Sequence, residues 1–335
     1  MAANRRLPIH FDPIRSHRAY GVPDRYEFVP NRTQTHLNIF DLATKTKAKA
    51  LEVCGHPDVT ATTIDGRYLY QAGTYLVAID LTTLEVVKTY AGKGIGDGYA
   101  VNVFPDGKRM FYYNMDGSIA VLRNADDPFK LEAEHVIVVH PAEPPESANG
   151  GKGQFIAGDR RYINANWHKN QVFEIDLTDY SVRVLVPEGF SKPDDLVMAP
   201  DERKGYTASH SPGPEGGQDG VDVFDIVEGR VLRRIKVGRQ PAGLTMSPDE
   251  SIVYATNVPD GSVSAIDVAT DSLLYTASAA EAYHAAGIRD ERLDIEGVTV
   301  SQDGKTLYAY AVNFGALVII EDLGSENRAT VIPEK

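Results

Sequence analysis

Apolar positions in this chain fall in short runs rather than in long stripes. Between Gly, Pro and Asp-Gly punctuation, brief segments rich in β-branched and aromatic residues recur, and the 3.6-residue spacing of helices is almost absent. Residues 254–274, YATNVPDGSVSAIDVATDSLL, show the unit: a strand ending at Asn257, a Pro-Asp-Gly turn, a second strand ending at Asp267 and a third starting near Leu273. With the residues before it, PAGLTMSPDESIVYATN (241–257), it is echoed as GYAVNVFPDGKRMFYYN (98–114) and IEGVTVSQDGKTLYAYA (295–311). Weaker echoes are PDVTATTIDGRYLYQAG (57–73), PDDLVMAPDERKGYTAS (193–209), GKGQFIAGDRRYINANW (151–167) and SHRAYGVPDR (16–25), seven copies in all.

Each copy leads into a strand that closes on an acid, as in NIFDL, VAIDL, FEIDL, VDVFDI, SAIDV and VIIED, with AVLRN the exception, and then into a further strand such as LEVVKTYAG or VLRRIKVG. The period, roughly 40 to 54 residues, is that of propeller blades. A four-stranded antiparallel meander, strands A to D, is apolar on both faces and must pack against like units until a ring closes. The expectation is an all-β chain forming a single domain over 1–335, a seven-bladed β-propeller. The Asp-Gly pairs at 65, 106 and 303 suit a two-residue A–B hairpin, where Gly takes the positive φ. RATVIPEK supplies the last outer strand, and LPIHFDP is a candidate clasp between first and last blades.

The phrase VYATNVPDGSVSAIDVATDSLL, with RQPAGLTMSPD before it, resembles the YVTN family of β-propeller repeats, whose wider relatives include lactonase-type propellers and the non-haem chain of amine dehydrogenases. The resemblance implies the fold; because its defining residues are structural, it transfers no catalytic residue.

In an up-and-down meander, the loops leading into strand A and the B–C loops lie at one end of the ring. Three segments exceed the usual loop length, and all three belong to that end: PAEPPESANGGKG (141–153), HSPGPEGGQDG (210–220) and SASAAEAYHAAGIRDERLD (276–294). Long loops on a rigid scaffold mark a working face. The third, rich in Ala and Glu up to Gly287, reads as a short helix serving as a lid, with Tyr283 and His284 facing substrate. Stacking the seven copies places His17, Asp58, Tyr99, Lys152, Asp194, Ala242 and Glu296 at the start of strand A, around the axis. Asp195 breaks a following row of mostly small residues.

These positions suggest acid–base catalysis by His17, Asp58, Tyr99, Lys152, Asp194, Asp195 and Glu296. Neighbouring carboxylates push each other's pKa values apart, and Glu296, His17 and Asp58, adjacent around the ring, are also candidate ligands for one divalent metal ion. Solvated groups around a water-filled channel would account for the same pattern. Trp167 and His168 in NANWHKN, with His210 in TASHSPG, fall in B–C loops of the same face and are candidates for substrate binding. Cys54 and His56 in EVCGHPD are a weak thiol–base pair, because a lone cysteine is usually a small buried apolar group.

Composition narrows the function classes. With 34 Lys and Arg against 47 Asp and Glu, the formal charge of -13 disfavours nucleic acid and anionic membranes as partners. One cysteine and no long apolar segment suggest a cytoplasmic protein. Absence of CxxCH, HExxH, CxxC and P-loop motifs argues against covalent haem, zincin, redox-dithiol and nucleotide chemistry, so no cofactor is required beyond the optional metal. The expected function is a hydrolase- or lyase-type enzyme, lactonase-like, taking a small-molecule ligand at the central channel. A non-catalytic binding platform and a subunit of a redox complex are the alternatives. Oligomeric state is open.

Overall fold

The computed structural model describes residues 25–92, 94–139, 153–158, 160–210, 219–289 and 293–334. Seven antiparallel sheets follow one another along the chain, each a meander of sequence-adjacent strands. Six have four strands. The first, built from Tyr26–Asn31, His36–Asp41 and Thr46–Glu52, shows three, which are strands B, C and D of blade one. All but the last residue of its expected strand A, at 16–25, and the LPIHFDP clasp lie outside the described residues, as do most of two of the three long inserts, at 140–152 and 211–218.

Why the sheets close into a ring is visible in where the core sits. It is divided into seven apolar clusters, and each fills the space between two adjacent blades. Blades six and seven share Tyr254, Val263, Val298 and Val318; blades seven and one share Leu317, Ile319, Val29 and Phe40. A blade is therefore buried on both faces and has no stable existence alone. Closure is reinforced by polar contacts across the same seam: Arg32 N to Val312 O, 3.0 Å, and Tyr310 Oη to Glu27 Oε2, 2.9 Å. The outer strand of blade seven is Arg328–Ile332, paired with Ala316–Glu321 as expected from RATVIPEK.

The Asp-Gly turns differ from expectation in length. In blade two, strand A (Thr60–Thr62) and strand B (Tyr68–Gln71) are joined by a longer loop in which Thr63 N bonds Tyr68 O and Gly66 N bonds Thr63 O, both 2.9 Å. Gly66, Gly107 and Gly304 hold φ of 70°, 69° and 71°, so glycine is placed there for the reason anticipated but in a four-residue loop. Where strands A converge on the axis, backbones nearly touch. A Cβ on Gly243 would lie 2.3 Å from the Glu296 carbonyl oxygen.

The one helix among the described residues, Ala280–Ala285, lies in the segment leading to blade seven. No helix there is long and apolar enough to cross a membrane.

Candidate active site at the channel mouth

Two rows of residues build the mouth of the channel. The first is the start of strand A. In blades three, five and six the A–B ladder slips at that point, between Gly98 and Ala100, Pro193 and Leu196, and Pro241 and Leu244. The extra residues in these bulges are Tyr99, the Asp194–Asp195 pair, and Ala242 with Gly243. A bulge re-aims the side chains it carries, and all five residues line one cavity of about 430 Å³, together with Asp58 and Glu296. Every described position of the predicted first row is thus present, and Asp195 with it.

The second row was not anticipated as a row. The residue directly after strand B is, in blade order, Arg32, Ala72, Met115, Trp167, His210, Val258 and Val312. Arg32, Met115, Trp167, His210 and Val312 all line the cavity, with His168 beside them. Stacking the repeats at the end of strand B, where Asn31, Asn114, Asn166 and Asn257 recur, would have found it. These asparagines close turns: Asn257 Nδ2 donates to Ser262 and Ser264, both 3.0 Å, and Asn166 Oδ1 accepts from Lys169 N.

Arg32 organises the electrostatics. Its Nη2 donates to Asp58 Oδ1 at 2.6 Å and its Nη1 to Glu296 Oε2, so one guanidinium from blade one bridges blades two and seven. Burial by itself would make this cation less basic. The carboxylates of Asp58 and Glu296, with a contribution from Asp194, reverse that and raise its pKa further. Glu296 is held above the usual carboxylate range, first by burial and then by the charges of Asp294 and Asp58, because half a share in one guanidinium does not offset them. Asp195 is fixed from its other side: Oδ2 accepts from Leu244 N at 3.1 Å, joining blade five to blade six.

Opposite this charged sector stands an aromatic wall. Trp167 is edge-on to His168, ring centres 4.8 Å apart, and Lys192 Nζ lies 4.1 Å from the centre of the Trp167 ring. Lys192 is tied to the same region by its backbone, donating to Asn170 Oδ1 at 2.7 Å and accepting from His210 N at 3.0 Å. Phe28, Tyr99, Met115 and Tyr310 complete an apolar and aromatic surround.

Other expected site residues are placed elsewhere. His17 and Lys152 lie outside the described residues. Tyr283 does not face a substrate. It is fully buried in the cluster between blades six and seven, 6.3 Å from Phe314 and nearly perpendicular to it, while His284 points to solvent away from the cavity lining. A helix of this length with one large side chain buries that side chain, which turns the expected lid into a plug on the flank of blade seven. Asp58 and Glu296, expected to share a metal with His17, are joined through Arg32, and among the described residues, which do not include His17, no three His, Cys, Asp or Glu side chains are grouped to hold a metal ion. Cys54 is buried and its thiol is pushed up to about 11 by desolvation, which disfavours the thiolate; His56 is exposed.

No family model matches the chain, so the YVTN resemblance rests on the repeat residues alone. No curated protein matches it either. Among solved structures, Kuenenia stuttgartiensis hydrazine synthase is similar with a TM-score of 0.66 and 18% identity, over 99% of this chain and 99% of that one. Dihydro-heme d1 dehydrogenase NirN, in complex with DHE, is similar with a TM-score of 0.61 and 16% identity, over 94% of this chain and 66% of that one. At such identities the likeness establishes the seven-bladed propeller and nothing finer.

Proposed function

We propose that the chain is a small-molecule enzyme of hydrolase or lyase type, working by acid–base catalysis at the channel mouth. The observation that carries this reading is the convergence of Asp58, Asp194, Asp195 and Glu296 with His168 and His210 on one cavity of about 430 Å³, a size suited to a small organic substrate. Glu296, whose proton is retained to higher pH than an ordinary carboxyl's, is the general acid. Asp194 is the general base, taking a proton from water in a hydrolysis or from carbon in an elimination, while Glu296 protonates the departing oxygen. Arg32 and Asp58 hold Glu296 in place. Trp167 and Tyr99 support the body of the substrate. Both structural neighbours are enzymes by name, which supports a catalytic propeller without indicating a reaction.

The test is a turnover screen with lactones, followed by acid release, and with β-hydroxy acids, followed by alkene absorbance. Activity in the wild type that falls about 10²- to 10⁴-fold in both Glu296→Gln and Asp194→Asn supports the assignment. Turnover retained in either variant removes that residue from the chemistry. A second reading, binding without catalysis, is favoured by the Arg32 bridge, since a carboxylate pinned by a guanidinium also serves as a purely structural clasp. It requires that no compound is turned over and that ligand affinity persists in Glu296→Gln.

A further inference from the structure

The cavity's own side chains indicate the charge of what it accepts. Among the described residues, its lining holds four carboxylates, Asp58, Asp194, Asp195 and Glu296, and a single permanent cation, Arg32. That cation is already engaged: its two terminal nitrogens donate to Asp58 and Glu296, so an anionic ligand would have to compete with both for the guanidinium. Two features then point to an organic cation. Arg32 is itself a flat organic cation seated between two carboxylates of this cavity. On the far wall, the Trp167 ring takes the Lys192 ammonium at 4.1 Å, a contact worth most where water is excluded. Carboxylates from blades two, five and seven, together with an aromatic plate from blade four, are complementary to a molecule with a cationic head and a flat apolar body.

Resting on the reading of this cavity as the ligand site, we infer that the chain binds small organic amines in their ammonium form, the head directed to the Asp194–Asp195 pair and the apolar body lying against Trp167, Tyr99 and Met115. Steering by the net charge of -13 acts in the same sense.

Trp167 is the only tryptophan of the chain, so its fluorescence reports on this cavity alone. Three probes of matched shape separate the contributions at pH 7: benzylamine, which is protonated, benzyl alcohol, which is neutral, and benzoate, which is anionic. Each is titrated against the full chain, with ligand-observed NMR line broadening as a second readout. The expected result is saturable binding of benzylamine at least tenfold tighter than either other probe, weakened by added salt and weakened about tenfold in Asp194→Asn, with circular dichroism showing that the variant is folded. Benzoate or benzyl alcohol binding as tightly as benzylamine, no binding by any of the three in both readouts, or an Asp194→Asn curve superimposable on the wild type overturns the inference. No turnover enters the measurement. A chain that binds benzylamine and catalyses nothing loses the acid–base reading and keeps this one, and a lactonase indifferent to benzylamine does the reverse.

Discussion

The two ends of the ring use the same side chains for opposite ends. At the turn end, where A joins B and C joins D, aspartates are consumed by their own loops. Asp249 Oδ1 accepts from Ser247 Oγ at 2.6 Å and from Ser251 N at 3.2 Å, and Asp303 does the same with Ser301 Oγ at 2.6 Å and Lys305 N at 3.1 Å. Asp80, Asp176 and Asp267 cap the amides of the C–D turns that follow them. Hydrogen bonds donated to the ionised form hold Asp249, Asp267 and Asp303 below the usual range, led by Ser247, Thr270 and Ser301 respectively. At the mouth end Asp194 and Asp195 lie on a bulge at the cavity wall, Asp58 and Glu296 share the Arg32 guanidinium, and Glu296 moves the other way, upward. A carboxylate's position within the repeat, not its identity, decides whether it is consumed by its own loop or lines the cavity.

The largest expected effect is at the turn end. Asp225 Oδ1 accepts from Val227 N at 2.7 Å and Glu228 N at 2.8 Å, and its other oxygen pairs with Arg203. Its side chain is only 7% exposed and satisfies two amides and a guanidinium at once, although Arg203, 49% exposed, regains water when the carboxylate is removed. Asp225→Ala should cost about 2 kcal/mol, seen by calorimetry as a drop in Tm of a few degrees, with ligand binding at the mouth intact in the folded fraction. A Tm within one degree of wild type would mean that these turns are decoration and would dissolve the contrast between the ends.

This division also explains what the sequence disclosed. Turn-end acids are legible because the loop that needs them is local: an Asp two residues before the amide it caps gives a fixed spacing, and that spacing made the seven-fold repeat visible. The start of strand A was legible for the same reason, since it is counted from those turns, and Asp58, Tyr99, Asp194 and Glu296 follow from it. Arg32 escaped notice because its partners, Asp58 and Glu296, are 26 and 264 residues away and meet it only when the ring closes. Tyr283 was misplaced because Ala- and Glu-rich composition gives a helix but not the surface it packs on. Val331 and Tyr254, which share its cluster, belong to two different blades.

Arg32→Met tests the mouth end at intermediate size. Removing the guanidinium leaves two carboxylates facing each other, but the three side chains are 31%, 27% and 20% exposed, so water recovers part of the loss and the expected cost is about 1.5 kcal/mol at neutral pH. The pH dependence is distinctive. Glu296 is held above its unfolded value even with Arg32 present, and without it the carboxyl rises further. Between the unfolded and folded values, the folded chain keeps a proton that the unfolded chain has released, so stability is highest at acid pH and falls as pH climbs through the raised value. The deficit of Arg32→Met should therefore be small at pH 4 and full at pH 7.5 in paired Tm measurements. An equal deficit at both would identify Arg32 as a packing element rather than an electrostatic clamp.

The smallest effect on stability belongs to Asp194→Asn, and its smallness is the point. Asp194 lies in a bulge at the cavity wall, and the amide is isosteric with the group it replaces. Stability should stay within about 0.5 kcal/mol of wild type, while benzylamine affinity and any turnover fall. A substitution at the mouth then removes function without stability, whereas one at Asp225 removes stability without function, because the turn acid serves its loop amides and Arg203. A Tm loss in Asp194→Asn comparable to that of Asp225→Ala would place Asp194 among the structural acids and leave the cavity without its proposed base.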